Sequence, residues 1–340
     1  MNVALLLPLT GASGALGQAM LNAAQMALFD LADDRLELLT RDTQGSAAGA
    51  ASAAQSAISD GAQLILGPLL AAEVEAVKPV AQAAHIPVLA FSTATQLAGQ
   101  GIYLMGFTPD QEIARVTAYA HQHGHNLFAL LAPRSPYGEV VSEAVKEAVT
   151  ANGATLVRSE FYDASTNDMA TAVRRFASEG HDYDALFLPE GDGRLKALAP
   201  QLPYFDIDPG QVKFLGTGLW DEPGLGTEPE LDNAWYAAPP PNLRANFEKR
   251  YQELYKTMPP RLATLGYDAT ALAAVLSHAP EGANFSDAAL TSPNGFSGVD
   301  GIFRLFPNGL VQRGLGVLEV QRGGGVVIDP APQSFQDLGQ

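Results

Sequence analysis

Gly11, Gly14 and Gly17, with Asp42 further along, are the residues whose types and spacing first point to chemistry. The glycines lie between an apolar run, Val3 to Leu7, and a stretch whose helical apolar stripe is Leu16, Met20, Ala23, Ala27 and Leu31. A strand, a glycine turn and a helix in that order expose backbone N–H groups at a helix N-terminus, where negative or polar ligand groups are attracted. Asp42 closes the next run, Leu36 to Arg41, where an acid could bind the ribose of a dinucleotide. A nucleotide-dependent enzyme is therefore one reading of these four residues.

The remaining chemistry of such an enzyme is missing. The turn Thr10 to Gly17 resembles that of short-chain dehydrogenases, but Ala15 stands where a middle glycine would let the backbone approach the pyrophosphate. Those enzymes also need a Tyr-x-x-x-Lys pair, whose lysine lowers the phenol pKa, and none of the ten tyrosines has a lysine four residues later. No serine, histidine and acid stand in a recognisable nucleophilic order. His121, His123 and His125 alternate at a helix end; a spacing of two does not place them on one helical face, so they read as solvated residues interacting with the helix dipole. Asp30, Asp33 and Asp34 read as a solvated helix end, with calcium as the alternative. No catalytic residue, metal or cofactor is expected.

Composition narrows the partners. The chain has 340 residues, of which 47% are hydrophobic and 17% charged, enough for two ordered domains with substantial cores. Twenty Lys and Arg against 37 Asp and Glu give a formal charge of −17, a field that repels phosphate backbones, so nucleic acid is not expected as a partner. No apolar run reaches the roughly 20 residues that cross a bilayer. Asn2 to Leu9 lacks a basic leader and a cleavage pattern and reads as the first strand. The absence of cysteine excludes disulfides and thiolate sites within the sequence.

Short apolar runs at 64–66, 87–91, 127–131, 185–188 and 213–215 alternate with helical stretches near 46–59, 71–84, 110–122, 137–151, 167–179 and 192–201. Such alternation predicts parallel sheets with crossover helices, in two lobes rather than one sheet. Breaks are expected at Thr108-Pro109-Asp110 and at Pro239 to Pro241. Two long helices then run from 243 to about 279. Gly298 to Phe306 and Leu310 to Gln321 read as strands joined by the turn Pro307-Asn308-Gly309.

Pro8-Leu9-Thr10-Gly11 with Gly17, Asp42-Thr43, Gly67-Pro68, Pro87-Val88 with Phe91-Ser92-Thr93-Ala94-Thr95, and Ser135-Pro136-Tyr137-Gly138 follow one another along the chain. In order and spacing these motifs resemble those of the type I periplasmic solute-binding proteins, relatives of the leucine/isoleucine/valine-binding proteins. Asp42-Thr43-Gln44-Gly45, Gly67-Pro68-Leu69-Leu70, Phe107 to Glu112, Gly266-Tyr267-Asp268-Ala269 and Gly298-Val299-Asp300-Gly301 are similar to the penicillin-binding protein activator branch.

The resemblance implies an α/β fold of two doubly wound parallel-sheet lobes joined by a three-strand hinge, with 1–108 and 239–312 in one lobe and 109–238 and 313–340 in the other. The lobes would close on a small polar or amphipathic ligand at the carboxyl ends of the strands. It also implies a non-enzymatic periplasmic protein, lipid-anchored through a cysteine upstream of Met1. Its partner would be a cell-wall synthase or, as the alternative, the permease of an ABC importer for amino acids. In the family's amino-acid receptors, hydroxyls and N–H groups after the fourth strand hold the ligand carboxylate. Here Ser92, Thr93, Ala94 and Thr95 occupy that loop, with turn and helix capping as their competing role. Those receptors place a serine after the third strand, whereas this chain has Leu69-Leu70-Ala71-Ala72, which implies either a more apolar ligand or a cleft that no longer carries a transported solute. Leu16, Leu70 and Ala71 join the expected contacts, as do Tyr137, Glu190 and Trp220 of the second lobe. The competing roles of those three are a packing anchor, a helix N-terminal acid and lid packing.

Overall fold

A computed structural model of the chain describes residues 1–31, 35–163, 166–180, 182–222, 224–278 and 285–336. β1 (Asn2–Leu7), α1 (Gly14–Leu31), β2 (Glu37–Asp42), α2 (Ala47–Ser59), β3 (Ala62–Leu66), α3 (Ala71–Ala83), β4 (Val88–Ala90) and β5 (Ile102–Leu104) come first. There follow α4 (Pro109–Gln122), β6 (Leu127–Pro133), α5 (Pro136–Ala151), β7 (Thr155–Tyr162), α6 (Thr166–Ser178), β8 (Ala185–Phe187), α7 (Asp192–Leu198), α8 (Gln201–Tyr204), β9 (Lys213–Gly216) and β10 (Trp235–Ala238). The chain ends with α9 (Pro241–Tyr255), α10 (Ala263–Ser277), α11 (Asp287–Leu290), β11 (Phe296–Gly298), β12 (Gly301–Leu305), β13 (Val311–Arg313), β14 (Gly316–Gln321) and β15 (Gly324–Asp329).

These elements fold as two compact units: Met1–Phe107 with Pro241–Gly314 and Gln333–Gln340, and Thr108–Pro240 with Leu315–Pro332. The first unit holds a parallel sheet in the order β2-β1-β3-β4-β5 and a small antiparallel sheet, β11-β12-β13. The second holds a seven-stranded sheet, β15-β14-β10-β9-β8-β6-β7, in which β14 is antiparallel to both of its neighbours. This is the expected α/β architecture of parallel sheets flanked by helices.

Both faces of the central strands are covered, which is why they read as unbroken apolar runs. In β1, Val3, Leu5 and Leu7 face a core that includes Met20, Leu272 and Leu276, while Ala4 and Leu6 face Ala50, Ala54, Val74 and Val77. In β6, Leu131 packs with Val173 and Leu198, and Phe128 and Leu130 pack with Ile113, Val141 and Val145. Helix starts follow local rules. The Ser46 and Ser135 side chains accept from the N–H groups of Gly49 and Gly138, and Pro109 and Pro136 stand where no N–H is needed.

Four differences from the sequence reading have physical causes. Leu310 to Gln321 is not one strand: β13 pairs with β12 in the first unit, whereas β14 pairs with β10 in the second. The second lobe was expected to run on to residue 340, yet the segment from Gln333 belongs to the first unit, where the Arg304 guanidinium lies 4.6 Å from the Phe335 ring centroid. The helix expected over 192–201 ends at Leu198, and Pro200, which lacks an N–H, precedes the separate turn α8. Leu31, placed on the buried stripe of α1, is 42% exposed at the helix end.

Candidate functional site

In each unit the loops at the carboxyl ends of the parallel strands gather the residues that sequence reasoning singled out. In the first unit, Asp42 ties two of them together. Its Oδ1 accepts the N–H groups of Leu9 (2.9 Å), Thr10 (3.3 Å) and Gln44 (2.8 Å), and its Oδ2 accepts the Thr10 hydroxyl (2.7 Å). Burial opposes its charge, but these hydrogen bonds outweigh burial and hold its carboxyl below the ordinary value. Gly17 lets α1 press against the strand end, where a Cβ would overlap the Pro8 carbonyl oxygen, and Gly11 adopts a positive φ of 78°. The residues that suggested a nucleotide thus act as loop clasp and packing contact.

The loop after β3 is organised by Glu73, which the sequence reading missed. This carboxylate is fully buried; Oε1 accepts the Thr43 hydroxyl (2.5 Å) and Oε2 accepts the Leu70 N–H (3.0 Å). An acid three residues into a helix is a capping signal, and Leu70-Ala71-Ala72-Glu73 carries it in plain view. Leu16 and Leu70 are half-buried and pack on the unit's core together with Leu9 and Phe107, and Ala71 is exposed. After β4, Ser92 is buried and its hydroxyl accepts the Ala94 N–H (3.2 Å), closing a short turn. Thr93 and Thr95 are exposed and Ala94 is half-buried. This unit therefore leaves the Thr93 and Thr95 side chains exposed while Leu16 and Leu70 pack on its core.

The second unit uses its polar residues differently. Tyr137, just inside α5, shares a hydrogen bond of 2.9 Å with the buried Thr217 hydroxyl, and burial pushes its phenol well above the ordinary range. Glu112 reaches from α4 to accept the Gly218 N–H (2.7 Å), and a Cβ at Gly218 would overlap its carboxylate. Glu190, 3% exposed, accepts the Tyr162 hydroxyl (2.9 Å) and pairs with Arg194 (3.2 Å). Burial first, and Glu190 second, push the Tyr162 phenol far up, so it remains a donor. Trp220, expected as a wall for a ligand, is 0% exposed and part of the unit's core, its indole donating to the Glu190 carbonyl (3.0 Å) and its ring filling the space beside Gly216. A large ring with one polar edge gains most by burying the ring and pairing the N–H.

Other expected groups have ordinary partners. The His123 ring bonds the Tyr119 carbonyl (2.8 Å) and the His125 ring the Asp184 carbonyl (3.1 Å), and both rings lie 5.7 Å from Trp235. They are packed as well as placed at the helix end. Asp30 is held by Arg250 and the Tyr267 hydroxyl, whose hydrogen bonds overcome its burial and lower its carboxyl pKa. Asp33 and Asp34 lie outside the described residues. Among the described residues no group of His, Asp and Glu is arranged to hold a metal ion, and no helix is long and apolar enough to cross a membrane.

The family model described as periplasmic binding protein matches residues 1–325. The chain belongs to that family. Its fold is that of a putative branched-chain amino acid ABC transporter protein from Rhodospirillum rubrum, with a TM-score of 0.81 at 20% identity over 96% of this chain and 99% of the other. An uncharacterised protein of Rickettsia prowazekii is 21% identical over 214 residues, 61% of this chain and 57% of that one. The penicillin-binding protein activator LpoA of Photobacterium profundum is 32% identical over 151 residues, 43% of this chain. The chain matches only 24% of the length of that activator. The family places the protein among periplasmic solute-binding folds.

Proposed function

We propose that this protein is a non-catalytic envelope protein of the penicillin-binding protein activator branch, lipid-anchored through a cysteine upstream of Met1 and supporting peptidoglycan synthesis. It engages a cell-wall synthase, and its strand-end loops hold a small ligand with polar oxygens and an apolar body. One observation carries the preference over an amino-acid receptor: the two buried glutamates of the second unit's strand-end loops, Glu112 and Glu190, already have partners. Glu190 is neutralised by Arg194 and Tyr162, and Glu112 is engaged by the Gly218 N–H. A buried carboxylate with its partners in place gains little from a ligand cation. The partial likeness to LpoA, higher in identity than the fold-level likenesses, supports the same branch. Ligand contact is assigned to Ser92, Thr93, Ala94 and Thr95 of the first unit, with Leu16, Leu70 and Ala71.

A second reading, the receptor of an ABC importer, is favoured by the exposed hydroxyls of Thr93 and Thr95 and by full-length likeness to such receptors. Two measurements separate them. Immobilised penicillin-binding protein should retain the purified chain, and leucine, isoleucine and valine should leave its melting temperature unchanged. A saturable thermal shift with one of these amino acids, together with no retention, would replace the activator reading by the importer reading.

A further inference from the structure

The first unit contains a second buried polar cluster, separate from the strand-end clasps. Asp268 on α10 and Asp300, between β11 and β12, are 1% and 2% exposed. Arg261 grips Asp300 through Nη2 to Oδ1 (3.0 Å) and Nη1 to Oδ2 (3.1 Å). Asp268 has no such counterion. Its Oδ1 accepts the Val299 N–H (2.8 Å), but its Oδ2 is buried without a hydrogen bond, sealed by Gly298, where a Cβ would overlap the carboxyl group. The charged groups that act on Asp268 are Asp300 from the β11–β12 turn, Arg313 from β13 and Arg261 from the segment before α10. Tyr267 on its own helix donates to Asp30. On α9, whose Leu243 a Cβ at Gly301 would meet, Arg244 pairs with Glu248.

The same cluster holds chain about to leave the unit. Arg313 donates from Nη2 to the Met105 carbonyl (2.5 Å), and its guanidinium lies over the rings of Phe107 (4.6 Å) and Phe303 (5.4 Å). Arg261 lies 4.3 Å from the Phe107 ring centroid. Phe107 is the last residue before the chain first passes to the other unit, and Arg313 precedes the last residue, Gly314, before a later passage. Two departing segments are thus gripped by one set of charges.

We propose that Asp268, Asp300, Arg261 and Arg313 form a proton-operated latch on these departing segments. With its proton in place Asp268 makes no claim on Arg313, which stays on Met105 and Phe107. When that proton passes to solvent, the new carboxylate competes for the Arg313 guanidinium, and the grip on both segments loosens. The physical cause is a carboxyl oxygen with no donor, in a sealed space beside a second carboxylate. Burial, then the charge of Asp300, push the Asp268 carboxyl up to about 7 against the Val299 N–H and the two guanidinium groups. Asp300 is also buried, but Arg261 holds it below the ordinary range. The folded protein keeps on Asp268 a proton that the unfolded chain releases near its ordinary value of 3.8. This stabilisation is complete below that value and is lost as pH rises to about 7.

Asp268→Asn supplies the neutral shape permanently. Its melting temperature should gain on wild type by roughly 2–4 °C per pH unit between pH 5 and pH 7, and the gap should stay level above. In wild type, hydrogen exchange at Met105–Phe107 and Val311–Gly314, corrected for intrinsic rates, should rise roughly tenfold from pH 6 to pH 8, and in the variant it should not. A pH-independent gap, or exchange that does not respond in wild type, would overturn the latch. Should the variant fail to fold, carboxyl carbon-13 spectra of aspartate-labelled wild type decide. One aspartate titrating near neutrality supports the proposal, and all titrating below about pH 5 overturns it.

Discussion

The strand-end loops of the two units meet the same local problem with the same device and then spend their polar residues differently. In the first unit Gly17 lets α1 press on the Pro8 carbonyl, and in the second Gly138 lets α5 press on the Pro133 carbonyl. In both, carboxylates clasp the loops: half-buried Asp42 and buried Glu73 in one, buried Glu112 and Glu190 in the other. The first unit still leaves Thr93 and Thr95 exposed, whereas in the second Thr217, Tyr137, Tyr162 and Trp220 are all absorbed into the network. A polar residue at a strand end therefore says little about ligand binding until its partner is known. The unit that keeps its hydroxyls free is the one to which we assign the polar contacts of a ligand.

The parallel is most easily broken at the glycines. Gly17→Ala and Gly138→Ala each drive a methyl group into backbone that cannot move without shifting a helix, and each should cost roughly 3 kcal/mol in urea unfolding. A loss below about 1 kcal/mol at either position would show that the two helix starts are not equivalent. The carboxylate clasps come next. Glu73→Ala leaves the Thr43 hydroxyl and the Leu70 N–H unpaired, and Glu190→Ala strands the buried Tyr162 hydroxyl, so each should destabilise by about 2–3 kcal/mol. Glu190→Gln keeps an acceptor for Tyr162 and should cost less; equal losses for Ala and Gln would mean that the Arg194 charge pair, not the hydroxyl, sets the cost. The smallest effect on stability sharpens the contrast most. Thr93→Ala should change stability by less than about 0.5 kcal/mol, and Ser92→Ala by about 1 kcal/mol through its lost turn bond. Once a ligand is identified by thermal shift, Thr93→Ala should weaken its binding at least roughly tenfold, and unchanged affinity would remove this loop from the site.

What could be read in the sequence was what local periodicity records. Val3 to Leu7 reads as a strand because both its faces are covered, and Ser135-Pro136 announces α5 because a hydroxyl cap and a proline suit the first turn of a helix. β5 was missed because three residues carry too little pattern, and β7, at the sheet edge, because most of its positions are half-buried and form no clean apolar stripe. Glu73 had a readable capping signal that was passed over, while Glu112 stood in a family-like motif that did not reveal its partner, Gly218, 106 residues away.

The sequence by itself determined the alternation of strands and helices, hence the parallel sheets, because side-chain periodicity and turn chemistry are properties of neighbouring residues. Only the tertiary structure decided which carboxylates clasp loops, that Trp220 belongs to the core, and that Asp268 and Asp300 share one buried site. Hydrogen-bond partners at strand ends come from segments brought together by crossovers, and burial is a property of everything packed around a residue, so neither is written in the spacing along the chain.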